Sequence, residues 1–374
     1  MQAIKGTLPR DLAEQIGDLP PAKAQPIRVE TYRSLMEHIA RLSYVNKDQL
    51  LFFRGQGNDY KNKAGASSFY PSIYRGDRVP REELERRFDI LSSASARLVD
   101  ILRELKIHGA SDVKRRKLIQ WSILQHYEVC ATPLLDFTQS VRVACSFAML
   151  EAGKEAPFFY VFGLPYVTNR ISVNSEQDIV NVRLLSICPP DALRPYFQEG
   201  YLAGTDEVTL DYASSKDELD FNSRLIAKFQ IDRGAKFWGR GFPPIPKEAL
   251  YPPSDLILDI CTKIGTAVSD AIQPSDLGRF LQAWTRLESR LLSMARESST
   301  PVYSLVEALR VLERGVQISP LLSQRLHAVR QTRNKAVHDP SKLDPGQLSR
   351  AEKEVESILK LLKSWSLPSL SSHP

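Results

Sequence analysis

Residues 125–148 read QHYEVCATPLLDFTQSVRVACSFA. Leu134 and Leu135 form an apolar step too short for a helix, which fits the end of a buried strand. Asp136, Phe137 and Thr138 then place a carboxylate and a hydroxyl where that strand stops. Thr138 or Ser140 is positioned to N-cap the next helix, because a short hydroxyl satisfies an orphan N–H at a helix start. Val141, Ala144, Cys145 and Ala148 recur at helical spacing and should pack inward. A strand end, a capped helix and two polar side chains together predict one wall of a pocket.

Upstream, Thr31–Leu42 carries Leu35, Met36, Ile39 and Leu42 on one helical face, with Thr31 or Ser34 as cap. Gln49–Phe53 is an apolar, aromatic run that predicts a buried strand, and Arg54 comes directly after it. A guanidinium at a buried strand end needs an anionic partner, because an unpaired buried charge is costly. Asp136 and a ligand phosphate are the two candidates. Residues 55–68 are polar and glycine-rich, a loop able to cover a pocket. Residues 80–105 predict a long amphipathic helix. The run Lys114-Arg115-Arg116-Lys117 reads as a solvated face or as a contact to phosphates.

Downstream, residues 157–163 and 225–231 read as strands, and Val180–Cys188 as another. Gln230 stands near the end of the 225–231 strand. Five prolines crowd residues 240–255 and mark a domain boundary. Beyond Asp255, helical periodicity replaces aromatic strands over 276–293, 301–313, 321–337 and 345–365. The expected fold class is an α+β N-terminal domain, a mixed sheet with flanking helices, followed by an all-α four-helix bundle. The expected divisions are a loosely ordered lead-in (1–28), the α+β domain (29–250), the bundle (255–365) and a disordered tail (366–374).

The chain has 374 residues, 43% hydrophobic and 25% charged, with net charge +6, which permits a nucleic-acid partner without requiring one. Its four cysteines contain no CxxC pair, so no zinc or other metal site is expected. No secretory h-region and no run of 18 apolar residues is present, so a cytoplasmic protein outside the membrane is expected.

Several of these pieces carry a resemblance. Phe53-Arg54-Gly55, Pro71-Ser72-Ile73-Tyr74-Arg75, Gln125-His126, Leu134-Leu135-Asp136-Phe137-Thr138 and the 144–148 helix stand in an order that resembles the FRG domain. Gln230 with Gly234 and Phe237 extends the resemblance more loosely, to about residue 238. Family members often carry Gly after the His and Arg after the Thr, where this chain has Tyr127 and Pro133. The expected pocket residues are Arg54, Gln125, His126, Asp136, Thr138 and Gln230. An Arg at a strand end, then hydroxyls before a small-residue helix, is also a loose ADP-ribosyltransferase pattern. By that analogy NAD would be used, with Arg54 on a phosphate, Thr138 or Ser140 ordering the nicotinamide side and Gln230 orienting the nucleophile.

A second constellation stands late in the chain, Arg333-Asn334-Lys-Ala-Val-His338-Asp-Pro340. Pro340 disfavours a helical Asp339, so the helix should end near His338. Asn334 and His338, four apart, share a face. This resembles the HEPN helical domains, over about residues 275–362. The resemblance implies a metal-independent ribonuclease needing no cofactor, with RNA as substrate. His338 would serve as general acid or base, Arg333 would stabilise phosphate charge, Asn334 would position both, and Glu288 would be a polar partner. It also implies a homodimer across a helix interface. The combination suggests a prokaryotic conflict or antiviral defence protein, a toxin-like effector. The alternatives are NAD-dependent transfer by the first domain, or a non-catalytic sensing and dimerisation module.

Overall fold

The apolar run LLFFRGQ forms strand β2 (Leu50–Gln56) at the middle of an eight-stranded sheet. In this computed structural model the described residues are 1–76, 79–152, 156–210, 212, 216–269, 274–297, 302, 305–315, 318–338 and 343–363. The side chains of Ala235, Ser269, Pro274, His338 and Pro345 lie outside that description. The chain divides into two units, 1–266 and 267–374.

In the first unit the remaining strands are β1 (Ile27–Val29), β3 (Leu135–Thr138), β4 (Phe158–Leu164), β5 (Ile171–Asn174), β6 (Ile179–Arg183), β7 (Gly200–Gly204) and β8 (Leu225–Ile231). Their spatial order is β1-β8-β4-β2-β3-β7-β6-β5, and only β1 and β8 run parallel, so the sheet is mixed. Successive side chains of a strand point to opposite faces. Phe53 therefore packs on one face with Phe159 and Phe229, while Phe52 packs on the other with Phe137, Tyr160 and Phe162.

The helices of this unit are α1 (Arg10–Ile16), α2 (Tyr32–Val45), α3 (Arg81–Glu104), α4 (Ala110–Arg115), α5 (Lys117–His126), α6 (Val141–Glu151), α7 (Arg194–Gln198), α8 (Ala235–Trp238), α9 (Lys247–Leu250) and α10 (Leu256–Ser269). Thr31 caps α2 through Ser34 N–H at 3.2 Å, and Ser140 caps α6 through Val143 N–H at 3.4 Å. Val141, Ala144, Cys145 and Ala148 of α6 are buried against the Phe53 face.

Two expectations are corrected here. The first 28 residues are not a loose lead-in: Leu12 of α1 is fully buried, and β1 extends the sheet. The proline-rich segment is not a boundary. Leu250 is buried, Arg142 donates to the Pro243 carbonyl at 2.8 Å, and the division falls within α10 instead. Asp255 shows why α10 starts where it does. Its carboxylate caps Ile257 and Leu258 and also accepts from the Tyr127 hydroxyl at 2.6 Å and from the Leu193 and Arg194 amides. The tail 366–374 lies outside the described residues.

The second unit is helical: α11 (Pro274–Arg296), α12 (Leu305–Arg314), α13 (Pro320–His338) and α14 (Pro345–Lys363). They share one core in which Phe280, Leu287, Leu291, Leu312, Val355 and Ile358 are almost completely buried. No helix among the described residues is long and apolar enough to cross a membrane.

Candidate functional site

Strands β2 and β3 meet at a single pair, Phe53 opposite Thr138. Beyond that rung they part, and a solvent-open cavity of about 240 Å³ occupies the gap. Arg54, the next residue of β2, sends Nη1 to the main-chain carbonyl of Asp136 at 2.7 Å. The guanidinium thus takes a backbone acceptor on the strand edge from which β2 has parted. Its Nε is buried and has no partner.

Gly55 explains why β2 lies so close to α6. A Cβ there would sit 1.8 Å from the Ala144 carbonyl oxygen and 2.8 Å from the Ala148 nitrogen. Only glycine permits this approach of strand to helix, which brings the α6 backbone to the cavity wall.

Asp136 anchors the opposite side. Its Oδ2 accepts from Gln125 Nε2 at 2.8 Å, and its Oδ1 lies 3.4 Å from His126 Nδ1. Burial pushes the carboxyl's pKa up, but the hydrogen bond and charge of His126 and the charge of Arg54 outweigh it. The group is held below the usual carboxylate value. An ionised Asp136 can only accept, so Nδ1 of His126 carries a proton, and in the neutral ring Nε2 would be the bare nitrogen. That Nε2 is buried without a hydrogen-bond partner, in a side chain only 3% exposed. Gln125 is fixed in turn by Thr132 Oγ1 at 2.5 Å and Ser72 Oγ at 3.1 Å, both donating to its Oε1.

Five of the six residues singled out in the sequence, Arg54, Gln125, His126, Asp136 and Thr138, line this one cavity. Thr138 uses its hydroxyl internally, donating to the Glu199 carbonyl at 3.2 Å and accepting from Ser140 N–H at 3.1 Å. It shapes the corner at which β3 passes into α6. Gln230 is the exception and is corrected here. It lies on β8 in the row Gln56–Phe158–Gln230, two strands and so about 10 Å from β2. A second glutamine does stand in the cavity wall beside Gln125: Gln198, at the end of α7, with Nε2 bound to the Leu250 carbonyl at 2.8 Å. The signal was present as Gln198-Glu199-Gly200-Tyr201, a Gln followed closely by a Gly and an aromatic.

Glu128, Glu151 and Tyr251 also line the cavity and were not singled out, and Arg75, quoted only as part of the FRG-like motif, lines it too. Burial and the neighbouring charge of Arg54 lower the pKa of Arg75, the mark of two guanidinium groups held close together. Among the described residues no cluster of three or more His, Cys, Asp or Glu has a metal-binding arrangement.

Residues 49–156 match the family model described as FRG domain. The chain carries an FRG domain. The match contains Arg54, Arg75, Gln125, His126, Asp136 and Thr138, and it ends before Gln198 and before the helical unit. No curated protein and no solved structure matches the chain. Tyr127, at a departure from the FRG pattern, contributes the hydroxyl that anchors Asp255 behind the FRG domain's cavity.

In the helical unit, α13 is described as far as His338, and Pro340 lies outside the described residues. Arg333 is half-buried, and its Nη1 donates to Asn334 Oδ1 at 3.2 Å. Glu288 accepts from Trp284 Nε1 at 3.2 Å, and among the described residues no hydrogen bond joins it to Arg333. The His338 side chain lies outside the described residues. The Lys114–Lys117 run of the first unit is exposed throughout.

Proposed function

We propose that the FRG domain binds a nicotinamide dinucleotide and transfers its ADP-ribosyl group to an acceptor. The observation that carries this reading is the convergence of Arg54, Gln125, His126, Asp136, Thr138 and Gln198 on one cavity where β2 and β3 part. Arg54 and Arg75 offer paired guanidinium groups to a pyrophosphate, the geometry at which arginine excels. In the transfer, the bond from the anomeric carbon to the nicotinamide nitrogen breaks. Its electron pair leaves with nicotinamide, which becomes neutral. The acceptor's lone pair forms the new bond, and its proton passes to His126 Nε2, the nitrogen left bare in the neutral ring that Asp136 orients. Gln198 takes the nucleophile-orienting place that the sequence alone suggested for Gln230.

The test is nicotinamide release from NAD, measured chromatographically. The parent protein is expected to release it. Arg54→Ala should reduce the rate by about 10²-fold or more, the loss typical of one removed electrostatic donor. Gln230→Ala should match the parent. Absence of both NAD binding by calorimetry and nicotinamide release would overturn the reading.

A second reading concerns the helical unit, which we infer to be a HEPN-like ribonuclease acting as a homodimer. It is favoured by a part-exposed Arg333, linked to Asn334 and standing about one turn before His338 on the same helix. RNA breakdown in chelator is expected, and a folded His338→Ala variant that cuts at the parent rate would end this reading. Together the two units would suit a conflict or defence effector of the cytoplasm.

A further inference from the structure

The cavity does not stand alone. A second cleft of about 520 Å³ adjoins it and shares Arg54, Arg75 and Glu151 with it. Lys61, Lys63 and Lys216 line this cleft as well, and Arg54, Arg75 and Lys61 alone outnumber Glu151, the carboxylate among its described lining residues. Such a surplus attracts a polyanion and favours phosphate. Tyr60, Tyr70 and Phe69 add aromatic surface, and Tyr60 is 59% exposed, open to a stacking base.

Two orphaned atoms point to a more specific ligand. Arg54 Nε and Gln56 Oε1 are both buried without a partner. They stand two apart on β2 and therefore on the same face of the strand. Gln56 is nine-tenths buried, at 9% exposure. A buried polar atom without a partner is costly, so such atoms await a ligand or ordered water. One orphan is a donor that suits a phosphate oxygen. The other is an acceptor that suits an N–H donor.

The wall that carries the lysines is firmly set. Lys228 of β8 donates to Asp59 Oδ2 at 3.2 Å and to Ser67 Oγ at 2.8 Å, while the Tyr160 hydroxyl donates to Asp59 Oδ1 at 3.0 Å. Asn62 Oδ1 accepts from the Ala64 and Ala66 amides and turns the chain between the two lysines. The loop is thus tied at both ends to the sheet, with Lys61 and Lys63 exposed on it.

We propose that this cleft is a nucleoside-diphosphate subsite, selective for a base that carries an exocyclic amine. The diphosphate would sit at the junction of the two cavities on Arg54 and Arg75, with the lysines around it. The base would lie against Tyr60, its amine donating to Gln56 Oε1. This rests on the nucleotide reading of the FRG domain and extends it, because the subsite would take the half of the dinucleotide remote from nicotinamide.

Calorimetric titration of the full chain with ADP, UDP and inorganic pyrophosphate tests it. ADP has the amine and UDP presents a carbonyl instead, so ADP should bind about tenfold more tightly or better. Gln56→Met should bring ADP down to the affinity of UDP. Lys61→Glu, at an exposed position, should weaken all three ligands and flatten the salt dependence, with an unchanged melting profile. Equal binding of ADP and UDP by the parent, or full affinity in the Lys61 variant, would overturn the proposal. ADP binding without any nicotinamide release from NAD would leave the subsite standing and remove the transfer reaction.

Discussion

Gly55 is the residue on which the cavity's geometry turns. Its absent side chain is replaced by helix backbone, which cannot move aside as a flexible side chain can. Gly55→Ala should therefore cost about 3 kcal/mol or more in urea unfolding, an overpacking loss at the upper end. Gly65→Ala is the contrast: its φ is +74° but nothing lies within 4 Å, so only the backbone term of about 1 kcal/mol is expected. Asp136 supplies a pH test of the same wall. Its folded pKa lies below the ordinary value of 3.8, so its contribution is complete above that value and is lost as pH falls through the lower, folded pKa. Asp136→Asn should flatten the fall in stability below about pH 4, seen in parallel denaturant titrations. A slope as steep as the parent's would place the acid sensitivity elsewhere.

Among the elements, the loop between β2 and the 3₁₀ turn at Ser72–Tyr74 depends on one buried ion pair. Lys228 and Asp59 are 2% and 8% exposed at their side chains. Removing one partner strands the other charge, so Asp59→Ala should lose about 3–5 kcal/mol. Replacing both, as Asp59→Leu with Lys228→Met, should recover much of that loss. A double variant no more stable than the single would mean that the pair is not the unit that holds the loop. These elements also differ in how readily the sequence discloses them. The strand Leu225–Ile231 and the helix Arg81–Glu104 are legible because each repeats its apolar pattern long enough to set a period. Strand β7, Gly-Tyr-Leu-Ala-Gly, is not: it is five residues long with glycine at both ends, a composition that lowers strand propensity. Missing β7 hid Gln198 just before it and left Gln230 as the later glutamine to choose. Arg54, Gln125, His126 and Asp136 were legible because a charged or amide group at the end of an apolar run must find a partner. What local pattern cannot supply is which strands part: the single Phe53–Thr138 rung is a property of pairing between segments 85 residues apart.

For the molecule as a whole, the two units each have a core of their own. Two clusters of buried residues pack on the two faces of the first unit's sheet, and another, from Phe280 to Leu362, lies within the second unit. A cluster that closes within one unit makes that unit's site depend on its own side chains, and sites without shared partners behave additively. Arg54 belongs to the first unit, and Arg333 and His338 to the second. The proposed activities should therefore separate cleanly. Arg54→Ala should abolish nicotinamide release and leave RNA cleavage within about twofold of the parent. Arg333→Ala with His338→Ala should abolish RNA cleavage and leave nicotinamide release and ADP affinity within about the same margin, since additive sites couple by only about 0.3–0.5 kcal/mol. Both assays run on one preparation of each full-length variant, with sedimentation velocity to track the association state. If Arg54→Ala also suppressed RNA cleavage, the sites would be coupled, with the nucleotide a control on the nuclease and not a substrate in its own right.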